Sequence, residues 1–117
     1  MARVLICGSR DWTNRGLIAM RVSSLLPGSV VIEGECRGAD IIAREEAEKQ
    51  GVPVERYLAD WQKHGRAAGP IRNTRMLEEG KPDLVIAFHN DIQNSRGTND
   101  MVRKAKAAGI EVQVITE

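Results

Sequence analysis

One hundred and seventeen residues, 42% of them hydrophobic, suffice for an apolar core that needs no disulfide or metal staple. A formal net charge of +1 excludes a global electrostatic pull toward nucleic acid or anionic membrane, so any anion site has to be local. Apolar runs of about five residues are too short to cross a bilayer.

In chain order, Val4-Leu5-Ile6-Cys7 reads as a strand over 2–7 that passes directly into Gly8-Ser9-Arg10. A glycine for close backbone approach, a hydroxyl and a guanidinium fork suit a phosphate. The plain alternative is a tight turn with a solvated arginine. Trp12 is placed either to stack on a base or to cover the end of the core. Leu17, Met20, Val22 and Leu25 mark a helix over 14–26, which Pro27-Gly28 ends.

Val30-Val31-Ile32 opens a second strand, 29–33, followed by a turn bracketed by Gly34 and Gly38 and ending in Ala39-Asp40. That turn is placed to offer backbone amides to an anion, and Asp40 is placed to cap the helix over 39–50. Cys7 belongs to the core, whereas Cys36 lies in the turn. No secretory pattern opens the chain, so two free thiols in a cytoplasmic setting are expected. Glu45, Glu46, Glu48 and Lys49 read as a solvated helix face.

After Gly51 and a third strand over 53–58, the segment from Ala59 to Pro70 is longer than a strand-to-helix connection needs, and loops of that kind tend to hold function. It contains Trp61 and His64. A helix over 70–79 puts Arg72 and Asn73 in its first turn, where a cation is misplaced unless an anion is near. Arg72 is therefore expected at the ligand.

A fourth strand, 83–88, leads through a polar loop to Gly97-Thr98 at the start of a helix over 98–108, a second phosphate cradle or else an ordinary cap. Arg103, Lys104 and Lys106 read as solvated, and a fifth strand covers 111–115. His64 and His89 have no acid or cysteine at metal-ligand spacing, so no metal is expected.

Five Val/Ile-rich runs alternating with helical segments predict an α/β fold: one Rossmann-like, three-layer domain around a mostly parallel sheet in the order 3-2-1-4-5. The turns after strands one and four then flank the switch point. There is no GxGxxG, nor a GKS or GKT ending, so classical dinucleotide and P-loop readings lose support.

Taken together, Gly8-Ser9-Arg10, Gly34 with Gly38-Ala39-Asp40, Ala59-Asp60-Trp61, Ala68-Gly69 with Arg72-Asn73 and Met76, and Gly97-Thr98 resemble the YspA-type, YpsA-related branch of the SLOG superfamily over nearly the whole chain. The resemblance implies a Rossmann-like domain that senses nucleotides or nucleotide-derived ligands, of a kind frequent in phages and bacteria. It also implies kinship with the LOG phosphoribohydrolases, often described as lysine decarboxylase-like, and with the DNA-processing protein A domain. LOG enzymes pair a helix arginine with the glutamate of a PGGxGTxxE turn. Arg72 matches the arginine and Gly97-Thr98 the GT, but Met101 stands at the glutamate position, and a thioether cannot replace a carboxylate in acid–base work.

The leading expectation is a module that binds a small nucleotide-like ligand and uses no other cofactor. Its contacts would be Gly8, Ser9, Arg10, Arg72, Gly97 and Thr98 at phosphate, Trp12 or Trp61 at the base, and Gly34, Gly38, Ala39, Asp40 and Asn73 around them. The alternative is a nucleoside-monophosphate N-glycoside hydrolase using Asp100 or Asp40 as its acid. A nucleic-acid-binding module is a third reading, which the balanced charge and the lack of an aromatic series disfavour. A homodimer is expected by analogy with related folds, and no membrane association.

Overall fold

The central Val- and Ile-rich runs form strands that are covered by helices on both faces, and pleating divides their side chains between two cores. The computed structural model describes residues 2–117. Its strands are β1 (Arg3–Gly8), β2 (Val30–Glu33), β3 (Val54–Arg56), β4 (Leu84–Phe88) and β5 (Glu111–Ile115). They form one sheet in the order β3-β2-β1-β4-β5, every neighbouring pair parallel. The predicted order therefore holds, and the sheet is parallel throughout.

The helices are α1 (Arg15–Ser23), α2 (Ala39–Lys49), α3 (Trp61–His64), α4 (Ala68–Glu78) and α5 (Gly97–Ala107). Val4, Ile6, Ile86 and Phe88 meet Ile18, Val22 and Ala43 of α1 and α2 on one face. Leu5, Cys7, Val85 and Ala87 meet Met76, Met101 and Ala105 of α4 and α5 on the other. Among the described residues no helix is long and apolar enough to cross a membrane.

Several local expectations shift for identifiable reasons. Helix α1 stops at Ser23 rather than residue 26, because the Ser23 and Ser24 hydroxyls bond back to the Met20 and Arg21 carbonyls at 2.8 Å and close the last turn. The strand expected over 53–58 shrinks to three residues, as an edge strand has a pairing partner on one side only. Part of the long polar segment is helical: the Asp60 side chain accepts from the Lys63 amide at 3.0 Å and starts α3.

Helix α4 begins at Ala68, with Pro70 in its first turn, where a missing N–H costs nothing. Arg72 thus lies one turn further in than expected. Glu46 is not solvated but buried, paired with Arg15 at 2.9 Å and Lys49 at 3.1 Å, and it ties α1 to α2. Lys104 likewise reaches α4, bonding Pro70 O and Thr74 Oγ1 at 3.0 Å each.

Candidate functional site

The two crossovers that leave β1 and β4 run in opposite directions, toward β2 and toward β5, so the carboxyl ends of these adjacent strands part and open a crevice. The crevice is a cleft of about 1,070 Å³. Gly8, Ser9, Arg10 and Trp12 reach it from the end of β1, Asp40 from α2, Trp61 from α3, Arg72 and Asn73 from α4, and Gly97 and Thr98 from α5. Cys7, Met76 and Met101 form an apolar floor. Burial pushes the Cys7 thiol up, so it stays protonated.

Three glycines expected to admit a ligand instead admit the protein itself. At Gly8, where φ is +154°, a Cβ would stand 2.2 Å from Phe88 O, and at Gly38, where φ is +83°, it would stand 2.3 Å from Ser9 O. Gly38 and the buried Ala39 accordingly pack behind the β1 turn rather than in the cleft. A Cβ on Gly34 would lie 2.7 Å from Arg72 Nη1, so that glycine makes room for the guanidinium. Only Gly97 of the four glycines expected at the ligand has open space in front of it.

Three amides of the β2–α2 turn, those of Gly34, Glu35 and Cys36, are also spoken for. Asp40 Oδ2 accepts from Gly34 N at 3.1 Å and Cys36 N at 3.4 Å, and Glu33 Oε1 accepts from Glu35 N at 2.7 Å. The anion cradled by this turn is the chain's own carboxylate. Asp40 therefore does not cap α2, whose N-cap is Gly38. At the β1 turn, Ser9 N donates to Phe88 O of β4 and ties the turn to that strand, while Asp11 N donates to Ser9 Oγ and closes the turn on itself. At α5, Thr98 N is capped by Ser95 Oγ at 3.1 Å.

Arg72, only 7% exposed, donates through Nη1 to Gly34 O at 2.6 Å and Cys36 Sγ at 3.5 Å, and through Nε to Asn73 Oδ1 at 3.1 Å. Asn73 Nδ2 in turn donates to Gly97 O at 3.2 Å and Asp100 Oδ2 at 3.0 Å. The adjacent pair thereby straps the β2 loop to the first turn of α5 across the cleft. Burial raises the Asp40 carboxyl to about 6, with the Arg72 charge and the two amides opposing that rise.

Asp100 does not enter the cleft. Its carboxylate accepts from Asn73 and pairs with Arg103 at 3.2 Å and Lys104 at 3.0 Å, one helical step away from the floor residue Met101. As a candidate acid it is turned into the α4–α5 seam. Trp12 is corrected likewise: it is 3% exposed, packs edge-on to Phe88 with centroids 5.5 Å apart, and spends its N–H on Asn14 O. Its ring covers the end of the core and presents no stacking face. Trp61 stays half exposed at the rim.

Two cleft arginines went unassigned in the sequence. Arg66 precedes α4 and Arg96 precedes α5, and with Arg10 and Arg72 they bring four guanidinium groups to one cleft. Among the described residues none of the four has a carboxylate ion-pair partner, whereas outer-face arginines such as Arg3, Arg15, Arg44 and Arg75 are paired. Their position in the turns that end at this edge was the available signal. Glu33 was also missed. It is fully buried at the end of β2, its Oε2 has no hydrogen-bond partner among the described residues, and burial beside Asp40 and Glu35 raises its carboxyl to about 8. A carboxylate closing a Val/Ile run in a doubly covered sheet is the cue that marks it. No group of acidic, histidine and cysteine side chains suited to a metal occurs among the described residues.

Comparison with known proteins bears on the whole of this frame. The X-ray structure of DNA processing protein A (DprA) from Streptococcus pneumoniae superposes with a TM-score of 0.80 over 97% of this chain at 15% identity, which shows a common fold. This chain spans 50% of that protein. The Gene 61 protein of Mycobacterium phage D29 is 40% identical over 121 aligned residues, which cover 96% of this chain and 94% of the phage protein. The model of the YspA, cpYpsA-related SLOG family matches residues 2–64, from β1 through α3, including the Gly8-Ser9-Arg10 turn and the Asp40 loop. With over half of its length matched by that model and a relative at 40% identity along nearly all of it, the chain belongs to the YspA, cpYpsA-related SLOG family.

Proposed function

We propose that this chain binds a nucleotide or nucleotide-derived phosphate ligand in the cleft at the carboxyl edge of its sheet. The observation that carries the reading is the convergence of Arg10, Arg66, Arg72 and Arg96, none with a carboxylate partner among the described residues, around one cavity. The cleft also carries Asp11, Asp40 and Asp91, but Asp40 is spent on the Gly34 and Cys36 amides and the guanidinium groups remain in excess, an excess that an anionic ligand satisfies. Planar guanidinium groups suit phosphate oxygens, the start of α5 adds its dipole, and the open space at Gly97 admits close approach to the backbone. Trp61 supplies the exposed aromatic surface for a base.

Binding without turnover is the better supported form. Met101 occupies the floor where the related hydrolases resembled by the sequence carry a glutamate, and Asp100 is committed to Asn73, Arg103 and Lys104. The test is a thermal-shift screen against nucleoside mono-, di- and triphosphates, NAD, ADP-ribose and cyclic nucleotides, with product analysis of each hit. A ligand at one hundred times its dissociation constant stabilises by about 2.7 kcal/mol, a shift of several degrees for a domain of this size. A hit recovered intact supports the reading, and one returned as free base makes the protein a hydrolase. If nothing shifts while single-stranded DNA is retained in a salt-sensitive way, the ligand is nucleic acid instead.

A further inference from the structure

Among the described residues, Glu33 Oε2 is the one buried side-chain oxygen or nitrogen without a hydrogen-bond partner. Its other oxygen, Oε1, accepts from Glu35 N at 2.7 Å, while Asp40 Oδ2 takes the amides on either side, Gly34 N at 3.1 Å and Cys36 N at 3.4 Å. Three successive amides of the β2–α2 turn are thus held by two buried carboxyl groups. Such a nest of amides suits negative charge, but two neighbouring buried carboxylates repel each other strongly. Burial and the Asp40 charge therefore leave Glu33 neutral at neutral pH.

The same turn is strained and carries the cleft arginine. Glu35 has a φ of +57°, in the left-handed region that a residue with a Cβ seldom adopts, and its side chain is drawn away to Arg44 at 2.8 Å and Arg56 at 3.4 Å. Gly34 O accepts from Arg72 Nη1 at 2.6 Å, and the same nitrogen lies 3.5 Å from Cys36 Sγ. The charged and titratable groups around Glu33 are thus Glu35 and Cys36 of the turn, Asp40 and Arg44 of α2, Arg56 of β3 and Arg72 of α4. Cys7 of β1, beside Asp40, stays a thiol. None of the three cations bonds Glu33: Arg44 and Arg56 are taken by Glu35, and Arg72 by Gly34 O.

We propose that Glu33 is a positioning residue for Arg72 that acts through its proton: neutral, it keeps the β2–α2 turn folded and Arg72 fixed on Gly34 O. When it loses that proton to solvent, the turn opens and Arg72 Nη1 is freed from Gly34 O. Burial makes the two events one, because a carboxyl with no exposed atom reaches water only when the turn over it opens. Once the proton is gone, repulsion from Asp40 and the strain at Glu35 both favour the open form. The carboxyl is raised to about 8, which puts the change just above neutral pH. The switch works with or without a bound ligand, so it stands or falls separately from the ligand reading above.

The test is an NMR titration of the full chain with no ligand added, from below neutral pH to above the Glu33 midpoint. It follows the Glu33 carboxyl carbon, the Glu35 amide and the Arg72 Nε–H signal. All three are expected to shift with one common midpoint near pH 8. In Glu33→Gln, which keeps an acceptor for Glu35 N but has no proton to lose, the Glu35 and Arg72 signals should lose that shift, which a merely structural role for Glu33 would leave in place. Asp40→Asn removes the neighbouring charge and should lower the common midpoint, a check that holds even if Glu33→Gln fails to fold. An Arg72 signal that ignores the Glu33 midpoint overturns the proposal. So does a shift that persists in Glu33→Gln, or a midpoint that Asp40→Asn leaves unmoved.

Discussion

Arg72 carries structure and recognition in one side chain, and substitution separates them. Its Nη1 satisfies the Gly34 carbonyl at 2.6 Å while the side chain also lines the cleft. Arg72→Ala is expected to abolish the ligand-induced thermal shift. It should also lower unfolding free energy by about 1–3 kcal/mol, the cost of a buried acceptor left without its donor. Arg72→Lys restores charge but not the planar fork, so it should recover little affinity. Gly34→Ala should reproduce the binding defect with the arginine still present, because the new Cβ would lie 2.7 Å from Nη1. Denaturant melts with parallel ligand titrations check all three, and native affinity in Arg72→Ala would remove the residue from the site. The sequence marks Arg72 as a cation early in a helix, yet its place in the second turn weakens that dipole argument. What holds the residue is a carbonyl 38 positions away, which no local pattern announces.

At the scale of elements, the turn after β1 and the start of α5 face each other across the crevice but use their glycines differently. Gly8 is required by packing: its φ of +154° and the 2.2 Å approach of a Cβ to Phe88 O make Gly8→Ala a destabilising change of about 1–3 kcal/mol. Gly97 has ordinary backbone geometry and open space before it, so Gly97→Ala should leave the melting temperature nearly unchanged, within about 0.5 kcal/mol. If a ligand phosphate approaches that backbone, the same variant should weaken binding several-fold. Equal ligand affinity in Gly97→Ala and the native chain would move the phosphate away from α5. Both glycines precede a hydroxyl residue in the sequence, Gly8 directly after an apolar run and Gly97 after a polar loop, and neither setting shows what packs against it. The distinction comes from the neighbouring strand: β4 presses its Phe88 carbonyl against Gly8, and nothing presses on Gly97. The amides of the Gly34–Cys36 turn were misread for the same reason, since their partners Glu33 and Asp40 are revealed only when the turn folds back over them.

For the molecule as a whole, the buried carboxyls beneath that turn set how stability responds to pH. Glu33 is raised from an ordinary 4.5 to about 8 and Asp40 from 3.8 to about 6. Between those limits the native state keeps protons that the unfolded chain has released, so stability falls as pH rises. Glu35 and Glu46 are shifted downward and act with the opposite sign, but only below the ordinary carboxyl range. From about pH 6 to about pH 8 the decline attributable to these carboxyls therefore belongs to Glu33, and Glu33→Gln should flatten it in melts across that interval. Identical slopes in the two proteins would show that Glu33 is already ionised there. The fold itself was legible because its causes are local and repeated. Val/Ile runs, helical apolar spacing and Gly/Pro stops recur along the chain, and right-handed crossovers leave few ways to arrange them. That the switch point lies between β1 and β4, and that Arg10, Arg72, Gly97 and Thr98 gather there, follows from that topology. The Arg72–Asn73 strap, the burial of Trp12 and Glu33, and the turning away of Asp100 depend on partners distant in the chain. Hydrophobic periodicity records which face a residue presents, but which polar atom meets which is decided only when the layers close and every buried donor must find an acceptor.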